Sequence, residues 1–261
     1  MHSVLENILE TTRAELDLSV SYREKLETYV ESMTALPPSF ANSLREPGRR
    51  IISEVKRKSP SEGQLRTAIV PQDIARTYEQ CGAAAISVLT ESSHFGGSLD
   101  DLSQVSSKVA LPCLRKDFIV HDIQVLEARA AGASAFLLIV AALKDHELRQ
   151  LLITGERLGL SPLVEVHTAD ELRRAEQAGA SIIGVNNRNL NSLQIDLSVA
   201  QALRKFIPKG AIAIAESGIH TVDDLQMLED SGYNAFLIGS SLMKARDPGK
   251  HLQELISQRP T

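Results

Sequence analysis

Cysteine is scarce in this chain, which contains only Cys81 and Cys113. The two residues lie far apart and form no C-x-x-C pair, so the sequence indicates neither a disulfide framework nor a zinc site. We expect both to be buried as small apolar side chains. Five histidines also lack the spacing of metal ligands, and we expect them on the surface or in loops: His94, His121, His146, His167 and His220. No metal is therefore expected.

Long apolar runs and an excess of basic residues are absent as well. No stretch approaches the length of a membrane span, and the first residues lack the basic-then-apolar order of a signal peptide. The formal charge of -5 argues against nucleic acid as the main partner. With 43% hydrophobic and 23% charged residues, the composition is that of an ordinary globular protein. We expect a cytoplasmic protein that binds no membrane and no nucleic acid.

The first forty residues carry helix signals and no strand signals. Ser3 with Glu6 and Ser21 with Glu24 have capping-box spacing, which predicts helices beginning near Val4 and Tyr22. The second helix has an apolar face that must pack on something; it comprises Tyr22, Leu26, Tyr29, Val30 and Met33. Pro37 and Pro38 should end it, and residues 41–48 are predicted to be a connecting loop. We interpret residues 1–48 as a helical extension packed on a catalytic domain of residues 49–261.

From Arg50 onward, short apolar runs alternate with amphipathic segments such as 123–131 and 223–230, and Thr168 with Glu171 predicts a helix start. The runs are apolar throughout, as in parallel strands covered on both faces by helices. The predicted strands are 51–54, 84–89, 112–115, 134–140, 163–166, 182–185, 212–215 and 235–238.

A repeat favours a closed sheet. Gly82, Gly132, Gly179 and Gly232 each follow a predicted helix and precede a strand, at separations of 50, 47 and 53 residues. Glycine at such a place fits a left-handed helix end. Four repeats of two β-α units give eight strands, the number that closes a (β/α)8 TIM barrel. The open dinucleotide-binding alternative lacks a G-x-G-x-x-G after its first strand.

Polar residues gather where the predicted strands end, which in a TIM barrel is the catalytic face. Glu54 and Lys56 lie two residues apart at the end of the first strand, so they share a face. The other strand ends supply Lys116, Glu165, Asn186, Arg188, Glu216, Ser217, Gly239 and Ser240. Each could instead be an ordinary ion pair or turn residue, but a closed barrel would bring them around one cavity.

Glycine and serine near the last two strands predict an anion site. Gly218 permits close backbone approach, and Gly239 with Ser240 leads into a short predicted helix at Ser241. Ser59, in the turn after the first strand, could add a hydroxyl donor. A plain strand-to-helix turn is the alternative. The position after strands seven and eight favours a phosphate site.

Six motifs in this order resemble the indole-3-glycerol-phosphate synthase family of tryptophan biosynthesis: SEVKRKSPSEG, LRKDFI, LVEVH, GVNNRNL, AESGI and LIGSSLM. The resemblance runs from about Leu44 to Met243, and a helical extension before the barrel is also typical of the family. It implies closure of 1-(2-carboxyphenylamino)-1-deoxy-D-ribulose 5-phosphate to indole-3-glycerol phosphate, with loss of carbon dioxide and water and without a cofactor. Ser240 stands where many members have Glu.

The resemblance also implies a role for each site residue. Lys116 would be the acid at the carbonyl oxygen, Lys56 would hold the substrate carboxylate with Glu54 beside it, and Glu165 would be a second acid-base group. The other implied contacts are Asn186, Glu216 and Ser217 on polar groups of the substrate; Ser59, Gly218, Gly239 and Ser240 on its phosphate; Phe118 and Leu190 on its ring; and Arg188 on its anionic end or on neighbouring glutamates. The second helix of the extension would cover the catalytic face.

Two rival functions remain open from the sequence. A phosphoribosyl-anthranilate isomerase would need a cysteine and aspartate acid-base pair, but Cys113 is out of phase with Lys116 and should point away from the cavity. An idle barrel that only binds a partner is contradicted by the intact lysines and glutamates. We expect a phosphorylated small molecule as the ligand and a monomer or weak homo-oligomer.

Overall fold

Eight parallel strands close into a barrel in the computed structural model, which describes residues 4–66, 69–190 and 192–257. The barrel strands are β1 (Arg50–Val55), β4 (Ala85–Leu89), β5 (Cys113–Lys116), β6 (Ala135–Ile139), β7 (Ser161–Val166), β8 (Ile182–Asn186), β9 (Ile212–Glu216) and β10 (Ala235–Ile238). Around the barrel the order is β1-β10-β9-β8-β7-β6-β5-β4. The ring closes where Arg50 of β1 pairs with Ala235 of β10. This is the predicted (β/α)8 TIM barrel, and all eight predicted strands are confirmed within two residues at each end.

Helices cover the outside of the barrel. Within the described residues they are α1 (Val4–Glu15), α2 (Val20–Ser32), α3 (Phe40–Arg45), α4 (Pro71–Gln80), α5 (Leu99–Ser106), α6 (Asp122–Ala130), α7 (Asp145–Arg157), α8 (Ala169–Ala178), α9 (Ser198–Arg204), α10 (Val222–Asp230), α11 (Ser240–Lys244) and α12 (Pro248–Ser257). A 3-10 turn spans Val140–Ala142. The strands are buried on both faces, which explains their unbroken apolar runs.

The predicted helix ends are confirmed. The four repeated glycines have φ between +80° and +97°, the left-handed backbone in which a helix commonly terminates. The hydroxyl of Thr168 accepts a hydrogen bond from the backbone N–H of Glu171, as its capping position predicts. The pattern therefore located the C-terminal ends of α4, α6, α8 and α10 and the start of α8.

The helices of the N-terminal extension differ from their prediction in two ways. Ser19, not Ser21, caps α2, so this helix begins two residues earlier than expected. The short helix α3 replaces the predicted loop over 41–48; its Phe40 and Leu44 are buried, and Ser43 donates to the carbonyl of Ala84, just before β4. The other predicted capping serine, Ser3, lies outside the described residues.

The second helix does not cover the catalytic face. It lies along α6 on the outside of the barrel, where Tyr22 donates to Glu127 at 2.9 Å and Arg23 pairs with Asp122 at 2.6 Å. The expected apolar face is only partly covered, and Tyr29 stays 55% exposed. The first helix, α1, lies over the mouth of the barrel instead.

A small hairpin follows β1 and was not predicted. Its strands, β2 (Lys58–Ser59) and β3 (Gly63–Gln64), are antiparallel. Arg57 and Arg66 flank the hairpin; Arg57 pairs with Asp101, and Arg66 donates to the carbonyls of Met243 and Ala245. These contacts hold the loop beside the last strand of the barrel. No helix within the described residues is long and apolar enough to cross a membrane.

Candidate active site

One cavity opens at the carboxyl ends of the barrel strands, with a volume of about 1210 Å³ counted out to its open mouth. All fourteen residues predicted from the sequence line it: Glu54, Lys56, Ser59, Lys116, Phe118, Glu165, Asn186, Arg188, Leu190, Glu216, Ser217, Gly218, Gly239 and Ser240. Closure of the barrel is what brings these distant parts of the chain together.

Four ionisable side chains form the floor of the cavity. Glu54, Glu216, Glu165 and Lys116 come from β1, β9, β7 and β5, which are alternate strands of the ring. In a TIM barrel, side chains from alternate strands share one interior layer. Apolar residues usually fill such layers, so a charged layer at the catalytic end marks a functional site.

Lys116 is the cation of this layer. Its Nζ lies 3.3 Å from Oε2 of Glu165. Burial would lower the pKa of Lys116, but the nearby carboxylates of Glu165, Glu216 and Glu54 outweigh burial and hold this pKa above its ordinary value. Burial would likewise raise the pKa of Glu165, yet Lys116 and His167 hold it well below its usual range. Lys116 is therefore protonated and Glu165 ionised at neutral pH.

The protonation state of Glu216 is the opposite of that of Glu165. Burial, and next the negative charge of Glu165, raise the pKa of Glu216 to about 8, so this carboxyl is neutral at pH 7. Its Oε1 is buried and has no hydrogen-bond partner among the described residues. Space for the side chain comes from Gly184 on β8, where an added Cβ would lie 2.0 Å from Oε1 of Glu216. The following residue, Ser217, has φ +66°, a strained backbone for a residue other than glycine.

Glu54 and Lys56 form a second acid-base pair, at 2.7 Å. Both side chains are largely buried, with 6% and 12% exposed. Gly239 makes room for this pair, since a Cβ there would lie 2.2 Å from Oε1 of Glu54. The sequence predicted Gly239 only as a phosphate contact and did not predict that it leaves space for Glu54.

Three of the four expected phosphate contacts lie after β9 and β10, and the fourth, Ser59, lies in the hairpin after β1. Gly218 and Ser240 line the cavity, and α11 begins at Ser240, one residue earlier than predicted. The hydroxyl of Ser240 donates to Glu62, which also pairs with Lys244 at 2.5 Å. Glu62 was not predicted as a site residue, although it belongs to the quoted SPSEG motif.

Arg188 reaches the hairpin rather than a glutamate. Its guanidinium donates to the hydroxyl of Ser61 at 2.8 Å and to the carbonyl of Leu193 at 3.2 Å. Among the described residues these bonds, and none to a glutamate, are found for the guanidinium of Arg188. A contact with an anionic group of the substrate stays a prediction.

Asn186 and Asn187 act differently although they are adjacent. The amide of Asn186 interacts with Glu165 and helps to lower its pKa, while its Oδ1 accepts from the N–H of Arg188 at 2.9 Å. Asn187 donates to the carbonyls of Glu216 and Ser217 at 3.0 and 3.1 Å, so it fixes the turn after β9. The alternative interpretation, in which an asparagine stabilises a turn of the chain, therefore applies to Asn187.

The apolar wall of the cavity comes from two sources. Phe118, after β5, lies 6.2 Å from the ring of Phe95, and Leu190 lines the wall after β8. The rest comes from α1, through Val4, Leu5 and Ile8. Val4 and Leu5 lie about one helical turn before Ile8, and this spacing was the signal that could have identified the three residues from the sequence.

His167 is the one of the five histidines that contacts the base of the cavity. Its side chain is 10% exposed, and its Nε2 lies 3.4 Å from Oε1 of Glu165. His146 and His220 are exposed, while His94 lies in a loop and His121 caps α6. His167 lies in the loop between β7 and α8, so the prediction of surface or loop positions is confirmed for all five, but the contact of His167 with Glu165 was not predicted.

The remaining charges of LRKDF lie outside the charged layer. Arg115 pairs with Asp117 at 2.9 Å and with Glu127 at 3.0 Å, and Glu127 also accepts from Tyr22. This network joins α2 to the strand that carries Lys116. Cys113 is 1% exposed, does not line the cavity, and has its pKa raised by burial to about 12, so it does not fit an acid-base role; Cys81 is half-buried.

Comparison with known proteins supports the family that the sequence motifs resemble. The family model described as indole-3-glycerol phosphate synthase matches residues 5–255. The indole-3-glycerol phosphate synthase of Koribacter versatilis (strain Ellin345) is 45% identical over 259 residues, covering 98% of this chain and 100% of that protein. The one of Aquifex aeolicus (strain VF5) is 46% identical over 254 residues, covering 97% and 98%.

Solved structures agree on the fold. A thiamine phosphate pyrophosphorylase from Pyrococcus furiosus has a TM-score of 0.60 at 16% identity and covers 82% of this chain and 94% of its own. The 3-hexulose-6-phosphate synthase from Salmonella typhimurium has a TM-score of 0.61 at 13% identity and covers 80% and 97%. At these identities the likeness concerns the barrel alone.

Proposed function

The chain belongs to the indole-3-glycerol phosphate synthase family, and from this premise we propose that its cavity converts 1-(2-carboxyphenylamino)-1-deoxy-D-ribulose 5-phosphate to indole-3-glycerol phosphate. The observation that carries the assignment of roles is the pair of opposite charges on the cavity floor, where Lys116 Nζ lies 3.3 Å from Glu165 Oε2. Ring closure needs an acid and a base within reach of the same small molecule, and this pair supplies both.

Lys116 serves the first step. The ring carbon that bears the carboxylate attacks the ketone carbon, a carbon-carbon bond forms, and the ammonium of Lys116 donates a proton to the carbonyl oxygen. The carboxylate then leaves as carbon dioxide, and its bonding electrons restore the aromatic ring. The raised pKa of Lys116 ensures that the proton is present at neutral pH.

Dehydration needs one more proton donor and one base. Lys56 first holds the substrate carboxylate and then protonates the departing hydroxyl, which leaves as water, with Glu54 at 2.7 Å keeping the ammonium in place. Glu165 removes the proton from the neighbouring ring carbon, and the indole double bond forms. Two protons are donated and one is taken back, so a turnover consumes one proton from solvent.

The rest of the cavity binds and orients the substrate. Ser59, Gly218, Gly239 and Ser240 hold the phosphate, Arg188 supplies a positive charge, and Asn186, Glu216 and Ser217 orient the hydroxyl groups. Phe118, Leu190 and the apolar side of α1 enclose the aromatic ring. Strands β5 and β9 lie opposite each other in the ring order, which supports placing the aromatic ring near Phe118 and the phosphate near Gly218.

The assay uses the purified chain with the carboxyphenylamino ribulose phosphate. We expect indole fluorescence to appear together with an equimolar release of carbon dioxide. No product at high enzyme concentration would favour the idle barrel. Fluorescence that persists unchanged in a Glu165→Gln variant would remove Glu165 from the base role.

A further inference from the structure

His167 contacts the base of the proposed reaction from the side away from the cavity. It follows Glu165 by two residues at the end of β7, and its ring does not line the cavity. The 3.4 Å separation of Nε2 from Glu165 Oε1 is that of an ion pair, because the geometry falls short of a directed hydrogen bond. Lys116 contacts the other oxygen of the same carboxylate.

The ring is held from behind by the first turn of α8. Oε2 of Glu171 lies 3.1 Å from Nδ1 of His167 and also accepts the backbone N–H of His167 at 2.8 Å. Thr168 caps the same turn by accepting from the N–H of Glu171. The imidazole is thus fixed between two carboxylates, one on each nitrogen.

The carboxylates of Glu165 and Glu171 are both acceptors, so each needs an N–H from the ring of His167. A neutral imidazole carries one N–H, so it could satisfy only one of the two carboxylates. Burial would lower the pKa of His167, but Glu165 and Glu171 outweigh it and raise this pKa to about 10. The ring is therefore an imidazolium at neutral pH.

We infer that His167 is a positioning residue that keeps Glu165 ionised and turned toward Lys116. The inference rests on the proposed role of Glu165 as the base. The groups that face Glu165 are Lys116 from β5, Asn186 from β8 and Glu216 from β9, with His167 directly after its own strand. Burial raises the pKa of Glu165, and the two cations Lys116 and His167 offset that effect.

The direct test is His167→Gln, which keeps a polar side chain of similar reach and removes the positive charge. We expect kcat to fall about tenfold or more and KM to stay within about threefold, since His167 touches no substrate. Loss of a cation raises the pKa of Glu165, so the acidic limb of the kcat/KM profile should move up by about one to three pH units. His146→Gln, at an exposed position, is the matched control.

Two further variants separate charge from shape. His167→Lys restores a cation and should recover part of the lost kcat. Glu171→Gln leaves Glu165 and the ring in place but removes one carboxylate, so it should shift the acidic limb in the same direction by less. This second variant also serves if changes at position 167 prevent folding.

A readout without substrate distinguishes this inference from the proposed function. Nitrogen-15 NMR of the imidazole should show His167 charged up to about pH 9 and its pKa lowered in Glu165→Gln, whether or not product forms. A neutral ring at pH 7, or His167→Gln with wild-type kcat and an unmoved acidic limb, would overturn the inference. A wild-type enzyme without activity would instead contradict the proposed function.

Discussion

At the scale of single residues, two lysines and three glutamates lie close together on and beside the floor of the cavity. Lys56 is matched with Glu54 and Lys116 with Glu165, which leaves Glu216 without a cation of its own. An unmatched carboxyl in such a place is less costly when neutral. The arrangement therefore gives two chemically similar acids opposite states, with Glu165 charged and Glu216 neutral.

Replacement of Lys116 by Met tests the acid. The thioether fills a similar volume but cannot donate a proton, so we expect kcat to fall about a hundredfold to ten-thousandfold while KM changes little. Steady-state kinetics at pH 7 give both values, and circular dichroism checks that the variant is folded. Lys108→Met, at an exposed position, is the matched control. A variant that retains more than about a tenth of wild-type kcat would exclude Lys116 as the acid.

The raised pKa of Glu216 predicts how kcat/KM depends on pH. Above about pH 8 Glu216 ionises beside Glu165, and the added negative charge disturbs the proposed base. We expect kcat/KM to decline above pH 8 in the wild type and to stay level in Glu216→Gln, which imitates the neutral acid. A decline that is the same in both proteins would contradict this assignment.

Stability provides a second check on the same group. The unfolded carboxyl ionises at its ordinary pKa and the folded one only near 8, so the unfolded state binds fewer protons between these values. The free energy of unfolding of the wild type should therefore fall relative to Glu216→Gln as the pH rises from about 4.5 to 8. Chemical denaturation at three pH values measures the difference.

At the scale of elements, strand β8 contains a glycine that faces the side chain of Glu216. A Cβ at Gly184 would lie 2.0 Å from Glu216 Oε1 and 3.1 Å from Leu163. Gly184→Ala should therefore lower stability by about 1 to 3 kcal/mol, as overpacking does, and lower kcat by displacing Glu216. Gly210→Ala is the control, because a Cβ there meets open space.

A double variant identifies the cause of that loss. In Glu216→Ala the colliding side chain is absent, so adding Gly184→Ala should cost little further stability. The two changes are then non-additive, as expected for residues in contact. Additive losses would show that the glycine matters for the strand itself and not for Glu216.

The barrel elements could be predicted from the sequence because the strands and the helices each carry a signal of their own. The strands are unbroken apolar runs, and the helices end at glycines that adopt left-handed backbone. The hairpin of β2 and β3 and the helix α3 were missed because six residues or fewer show no periodicity.

The site could be predicted where position along a strand decides direction, as for Glu165 and Lys116. His167 could not, because its role depends on the ring orientation that Glu171 imposes from the next helix. The predicted location of the second helix of the extension was wrong for a related reason. An apolar face shows that a helix packs on something, but not on which neighbour.

At the scale of the whole molecule, the two long helices of the extension have separable tasks. Helix α1 contributes Val4, Leu5 and Ile8 to the cavity wall, whereas α2 is fixed to α6 by Tyr22 and Arg23. Deletion of residues 1–18 should raise KM roughly tenfold, as expected from the loss of about 1 to 2 kcal/mol of apolar contact, and leave kcat within about threefold.

A longer deletion should add a different defect. Removal of residues 1–32 also breaks the bonds to Glu127 and Asp122, so the thermal midpoint should fall further while KM stays where the shorter deletion left it. Calorimetry and steady-state kinetics on both truncated proteins provide the comparison. An unchanged KM in both would show that the extension is a structural clamp only.

Closure of the ring between β1 and β10 has a consequence for synthesis of the chain. Arg50 pairs with Ala235, which is 235 − 50 = 185 residues later. At about 5 to 20 residues per second, a ribosome needs roughly 10 to 40 s to supply that partner. During this interval one side of β1 has no strand to pair with, and its backbone N–H and C=O groups are open to a strand of another nascent chain. Slow translation of the last third would lengthen the exposure, so codon choice there should affect the yield of folded enzyme more than codon choice in the first third.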